Sequence, residues 1–130
     1  MAKKKSLVKD YMTENPARMF QTDSVQDALQ ILDVDRFRHL PIVDSNGNAV
    51  GMISDRDLLP YTTRRLGQDE FPVSKIMSAP IQSISRDEEL VEAASRMLEY
   101  NVGALPVVHD EKLIGIISYV DVLRAFIDKN

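Results

Sequence analysis

The phrase Gly51-Met52-Ile53-Ser54-Asp55-Arg56-Asp57 returns sixty-four positions later as Gly115-Ile116-Ile117-Ser118-Tyr119-Val120-Asp121. A chain that says one phrase twice is constrained to build one local structure twice. In each copy an apolar run ends at a serine, as a strand would, and the next residues, through Leu58 and Leu59 or Val122 and Leu123, open a helix. The first backbone N–H groups of a helix have no intrahelical partner and carry partial positive charge, so each junction can receive an anion or a ribose hydroxyl. Ser-x-x-Asp is also close to a capping box, in which the two side chains satisfy those free donors. Capping alone would account for either copy taken singly.

The repetition extends well beyond the phrase. Val8, Met12, Ala28, Leu40, Pro41 and Val43 recur as Val73, Met77, Ala93, Leu105, Pro106 and Val108 at an offset of 65, and the offset drops to 64 after the following turn. Residues 7–13 read as a short lead-in helix or turn closed by Asn15-Pro16, and residues 73–78 as its echo closed by Ala79-Pro80. A brief strand is expected after each, weaker at 17–20 and better at 81–84. Thr22-Asp23-Ser24 and Ser85-Arg86-Asp87 offer caps for amphipathic helices whose apolar faces carry Val25, Ala28, Leu29 and Leu32 in one copy and Leu90, Ala93, Ala94, Met97 and Leu98 in the other. Leu40-Pro41-Ile42-Val43 and Leu105-Pro106-Val107-Val108 read as buried strands, with each proline expected at a strand start or edge. An Asn46-Gly47 turn and a turn at 109–112 then lead into returning strands.

The expectation is an α+β chain of two β-α-β-β-α repeats, residues 7–60 and 72–128, joined by a linker at 61–71 that has no apolar period. Each half, of about sixty residues, is marginal alone, so the repeats should pack through their sheets with pseudo-twofold symmetry.

Composition removes several classes of function. Among 130 residues with net charge −4, the only basic run is Lys3-Lys4-Lys5, so a dominant nucleic-acid face is not expected. There is no cysteine, which excludes disulfides, thiolate catalysis and cysteine zinc sites and fits a reducing compartment, with the cytoplasm as default. Apolar stretches reach only about five residues against the roughly twenty of a membrane span, and no apolar run follows the charged start, so a soluble, unprocessed protein is expected.

Met12-Thr13 with Pro16, Arg38-His39-Leu40-Pro41-Ile42-Val43-Asp44 and the phrase from Gly51 to Leu59 resemble the CBS domain, named after cystathionine beta-synthase, and the second half repeats the likeness. The chain resembles a stand-alone tandem pair of such domains over roughly residues 7–127. That resemblance implies a regulatory sensor with clefts between its repeats holding AMP, ADP, ATP or S-adenosylmethionine, no required cofactor, and a homodimer built as a flat disc of four repeats. It also implies that Asp57 and Asp121 hold ribose hydroxyls and that Ser54 and Ser118 approach the ribose or phosphate. A carboxylate is an acceptor with room for two hydroxyl donors, which suits a vicinal diol. By the same resemblance, backbone near Ala17, Arg18, Ile81 and Gln82, and near His39, Leu40, Ala104 and Leu105, grips the adenine.

The two copies differ in charge. Arg36, Arg38, His39 and Arg56 in the first align with Asn101, Gly103, Ala104 and Val120 in the second. Phosphate binding needs cationic or N–H donors, so the phosphate is assigned to Arg38, His39 and Arg56, and the two clefts are expected to be inequivalent. Solvated arginines making weak surface ion pairs are the plain alternative.

Other patterns carry less. The run from Asp44 to Asp55 begins like a calcium loop, but Ala49 stands where the sharp-turn glycine belongs and Asp55 replaces the bidentate glutamate. His39 and His109 lack ligand spacing, and Asp55 and Asp57 have no repeated acid partner, so neither a metal site nor a catalytic residue is assigned. Three readings follow: a ligand sensor, a dimerisation or interaction module without ligand, supported by apolar Val122, Leu123, Phe126 and Ile127, and a nucleotide hydrolase requiring turnover.

Overall fold

A computed structural model describes residues 5–35, 38–62, 70–79 and 81–129. The elements run α1 (Val8–Tyr11), β1 (Thr13–Glu14), β2 (Met19–Phe20), α2 (Val25–Asp35), β3 (His39–Val43), β4 (Ala49–Ser54), α3 (Asp55–Leu58), α4 (Leu90–Tyr100), β5 (Ala104–His109), β6 (Lys112–Ser118) and α5 (Tyr119–Lys129), with 3-10 turns at Leu59–Tyr61 and Val73–Lys75. They form two compact units. A central unit holds Ala17–Ile81, and a terminal unit joins the residues up to Pro16 to those from Gln82 onward.

In the central unit the sheet order is β2-β3-β4. β2 runs parallel to β3 with Met19 opposite Ile42, and β3 runs antiparallel to β4 with His39 opposite Ser54 and Leu40 opposite Ile53. Parallel neighbours need a crossover, which α2 supplies. Its buried Val25 and Ala28 close over Met19, Leu40, Ile42 and Ile53, the inward residues of the strands. The side chain of Leu32 lies outside the described residues. At the β3–β4 turn, Asp44 Oδ1 accepts from Asn46 N and Asn48 N at 2.9 and 3.0 Å, and Gly47 adopts φ 85°, a conformation that favours glycine.

The terminal unit repeats this plan with the order β1-β6-β5. Leu105, Val107 and Ile117 form its apolar floor beneath Leu90, Ala93 and Met97 of α4. Pro106 is on β5, an edge strand as expected, but Pro41 is not at an edge, because β3 lies between β2 and β4. Pro41 is tolerated there because the residue opposite it, Met52, exchanges both of its backbone hydrogen bonds with Ser78 instead. The hairpin therefore asks no N–H of the proline.

The units are not the two sequence repeats. Each lead-in packs into the unit that carries the other repeat's hairpin, and the exchange is reciprocal bond for bond. Val8 N donates to Glu88 O at 2.9 Å and Leu90 N to Ser6 O at 2.9 Å, while Val73 N donates to Asp23 O at 2.7 Å and Val25 N to Phe71 O at 2.9 Å. Thr13 pairs with Ile116 as Ser78 pairs with Met52. The first N–H of each long helix is thus satisfied by a carbonyl of the exchanged lead-in, and Val8 and Val73 are each fully buried in the unit they join.

Two further details depart from the sequence reading. The better strand expected at 81–84 is a single bridge, Ile84 to Val107, whereas the weaker segment forms β2. The backbone beside Ile84 is taken by side chains: Arg96 Nη1 donates to Ser83 O at 2.7 Å, and Glu88 Oε2 accepts from Ser85 N at 2.8 Å. The cap expected at 85–87 moves to Glu89, which makes no side-chain cap bond, while Ser24 and Asp27 do cap α2 reciprocally. At the two ends of the expected linker, the Tyr61 and Phe71 rings meet edge to face at 5.6 Å against the central core; residues 63–69 lie outside the described residues.

The two repeated glycines sit where the exchanged lead-ins press on the hairpins. A Cβ at Gly51 would meet the Met77 side chain, with its Cγ at 2.8 Å, whereas one at Gly115 would meet Met12 Sδ at 2.9 Å and the Thr13 backbone carbonyl at 3.0 Å. A thioether can repack but a ladder carbonyl cannot. Gly115→Ala is therefore expected to lower stability by about 1–3 kcal/mol in chemical denaturation, and Gly51→Ala by less.

Candidate ligand-binding junctions

Each sheet brings the candidate residues to one end. In the central unit β3 begins at His39 directly opposite Ser54, where β4 ends, and α3 starts at once with Asp55. Asp55 N donates to Arg38 O at 2.9 Å, which closes the start of β3 onto the start of the helix. Ala17 and Arg18 precede the Met19–Ile42 pair, so in a parallel register they enter at this same end. The terminal unit matches it: Ala104 lies opposite Ser118, Tyr119 N donates to Gly103 O at 3.0 Å, and Gln82 precedes the parallel Ile84–Val107 bridge. Ile81 falls in the central unit, apart from Gln82. The Leu40, Ala104 and Leu105 side chains are core, so only their backbone is available to a ligand.

The capping expected from Ser-x-x-Asp is present in the central junction. Ser54 Oγ accepts from Asp57 N at 3.2 Å, and Ser54 N donates to Asp57 Oδ2 at 2.9 Å. Only one carboxylate oxygen is spent on the cap. Asp57 Oδ1 has no protein partner among the described residues, and it keeps its acceptor capacity. In the terminal junction Asp121, 7% exposed, accepts on Oδ2 from Ser118 N at 2.8 Å and from Ser118 Oγ at 3.1 Å. Its Oδ1 accepts from Arg124 Nη1 at 3.3 Å, a long bond to an exposed guanidinium. The sequence reading missed Arg124, although i,i+3 spacing from Asp121 was its signal. Pro60 stands at the aligned position in the first copy, which is why Asp57 has no such cation.

Charge separates the junctions. Burial pushes the His39 imidazole below its ordinary value of 6.5; the Asp55 and Asp57 carboxylates pull it back up, and the Arg38 guanidinium pushes it down. Arg38 and Arg56 are exposed at the same strand-to-helix turn, whereas Tyr119 and Val120 are the exposed residues there in the other copy. Arg36 lies outside the described residues. Among the described residues no group of three His, Asp or Glu side chains could hold a metal ion, and no helix is long and apolar enough to cross a membrane.

Comparison with known proteins places this architecture. The chain is 32% identical over 122 residues to the L-aspartate semialdehyde sulfurtransferase of Methanocaldococcus jannaschii, a match that covers 93% of this chain but only 23% of that enzyme. Its structure is similar to the CBS domain pair of protein MJ0100 in complex with 5'-methylthioadenosine and S-adenosyl-L-methionine, with a TM-score of 0.83 and 31% identity over 98% of this chain and 100% of that one. It is equally similar to CBSX2 in complex with AMP, with a TM-score of 0.83 and 33% identity over 95% of this chain and 97% of that one. The sequence profile of the CBS domain matches twice, at residues 8–62 and 73–128, and each match carries one of the two strand-to-helix junctions. The chain therefore belongs to the CBS domain family, as a tandem pair.

Proposed function

We propose that this chain is a ligand-sensing regulatory module whose strand-to-helix junctions receive an adenosine derivative: AMP, ADP, ATP or S-adenosylmethionine. The observation that carries this reading is the twice-built Ser-x-x-Asp junction, in which the cap fixes the carboxylate through one oxygen and leaves the other to accept from a ribose diol. Among the described residues, at Asp57 that oxygen is unspent, and at Asp121 it is held only by an exposed arginine at 3.3 Å. The complexes of the similar CBS pairs with AMP, 5'-methylthioadenosine and S-adenosylmethionine support the choice of ligand. In this reading Ser54 and Ser118 approach the ribose or phosphate, and Arg38, His39 and Arg56 neutralise the phosphate. Backbone at Ala17, Arg18, His39, Leu40, Ile81, Gln82, Ala104 and Leu105 surrounds the adenine.

The module acts in the cytoplasm as a homodimer and performs no reaction of its own; it works because the ligand binds two conformations with different affinity. An apolar face on α5 favours self-association, with Leu123, Phe126 and Ile127 exposed by 55%, 67% and 71%. A constitutive dimerisation module is the second reading, and it rests on that same face.

Thermal unfolding with each adenosine derivative in turn separates the two. A ligand at about a hundred times its dissociation constant stabilises the native state by roughly 2.7 kcal/mol, which raises Tm by several degrees in a chain of this size. A shift with one adenosine ligand supports the sensor. A flat response to all of them leaves the dimerisation module.

A further inference from the structure

We propose that His39 makes the central junction selective for phosphate-bearing adenosine derivatives by taking up a proton as the phosphate binds. The inference rests on the reading that this junction receives an adenosine derivative, and it adds the choice of 5'-substituent and a dependence on pH. His39 is the first residue of β3, fixed opposite Ser54 in the ladder, and its side chain is half-buried. Asp55 and Asp57 face it from α3 and Arg38 immediately precedes it in the chain; Arg56 lies in the same helical turn as the two carboxylates, and Arg18 enters the sheet at the same end. The five charges are three guanidiniums and two carboxylates, which leaves the imidazole as the one group whose charge can change between pH 5 and 8. Burial disfavours the charged form of the ring and holds it below its ordinary value in the free protein.

A phosphate dianion brought into this cluster supplies the negative charge that a second proton on the ring would balance, so phosphate and proton bind together. A 5'-thioether brings no such charge. The terminal junction has Ala104 opposite Ser118 and has no imidazole, so the same coupling is absent there. Discrimination against phosphate-free ligands therefore widens as pH falls.

The test is calorimetric titration of the full chain with AMP and with 5'-methylthioadenosine near pH 7 and pH 8, in buffers of different ionisation enthalpy. AMP's own phosphate, with a second pKa of about 6, is mostly dianionic in both conditions. AMP should bind up to about tenfold tighter at the lower pH, the limit for one linked proton, with uptake approaching one proton. 5'-Methylthioadenosine affinity should not change with pH. His39→Ala, which installs the residue of the second copy, should keep a normal thermal transition while losing both the proton uptake and the pH dependence for AMP. AMP binding that is independent of pH, or proton uptake that survives His39→Ala, overturns the inference and leaves the ligand-sensor reading standing. Failure of both ligands to bind overturns that reading and this inference with it.

Discussion

Val8→Asp is expected to open the hairpin and helix of the second repeat, although Val8 belongs by sequence to the first. Val8 is fully buried among Ile84, Leu90, Ala93 and Leu105, all from the terminal unit's second-repeat elements. A carboxylate there has no cation within the cluster, and an uncompensated buried charge costs about 3–5 kcal/mol, a large share of the roughly 5–15 kcal/mol that holds a domain of this kind together. Amide hydrogen exchange should show protection falling first in α4, β5 and β6 while α2, β3 and β4 keep theirs. Val73→Asp is the mirror experiment, because Val73 is buried among Val25, Leu40 and Ile53 of the central unit, and it should reverse the pattern. Selective loss in β3 and β4 from Val8→Asp would mean that each lead-in serves its own repeat.

Asp121→Ala is expected to lower stability by about 3 kcal/mol in chemical denaturation and to remove any ligand-induced rise in Tm that depends on the terminal junction. Its carboxylate accepts from the Ser118 backbone, the Ser118 hydroxyl and Arg124; a single hydrogen bond to a charged group contributes about 1.5–3 kcal/mol net, and three bonds that share one carboxylate do not add. Asp57→Ala should cost less, about 1 kcal/mol, since Asp57 is less buried and makes one cap bond through Oδ2. The two variants therefore separate structure from function: a similar loss of ligand response with a very different loss of stability marks a shared binding role. Asp121→Asn, which keeps the shape and one acceptor, should recover part of the stability.

Much of this was legible in the sequence because the repeat fixed the comparison. The buried faces of α2 and α4 follow from the spacing of Ala28 and Ala93 with their apolar neighbours, and the hairpins follow from Leu40 to Val43 and Leu105 to Val108 returning through a turn. The exchange of lead-ins was not legible, for a physical reason. Val8 and Met12 are the same residue types as Val73 and Met77, so either lead-in fits either socket, and nothing in the residues themselves selects the far one. The segment at 81–84 misled because Ile81 and Ile84 suggest a strand, while the competing claims on its backbone come from Arg96 and Glu88, residues that sequence places in a helix and a turn. At the junctions the Ser-x-x-Asp spacing announced a cap, and the family resemblance implied a ligand carboxylate at the same residues. The geometry makes these compatible at Asp57, since the cap engages one oxygen only.

The most direct test of the central claim is isothermal titration of the purified chain with AMP and with S-adenosylmethionine, alongside Asp57→Ala and Asp121→Ala proteins that still show a cooperative thermal transition. Saturable heat with at least one of these ligands, lost in one or both folded variants, is the predicted result. The absence of saturable heat with either ligand, or binding that both alanine variants retain at full strength, would contradict the assignment of the junction carboxylates to an adenosine ligand.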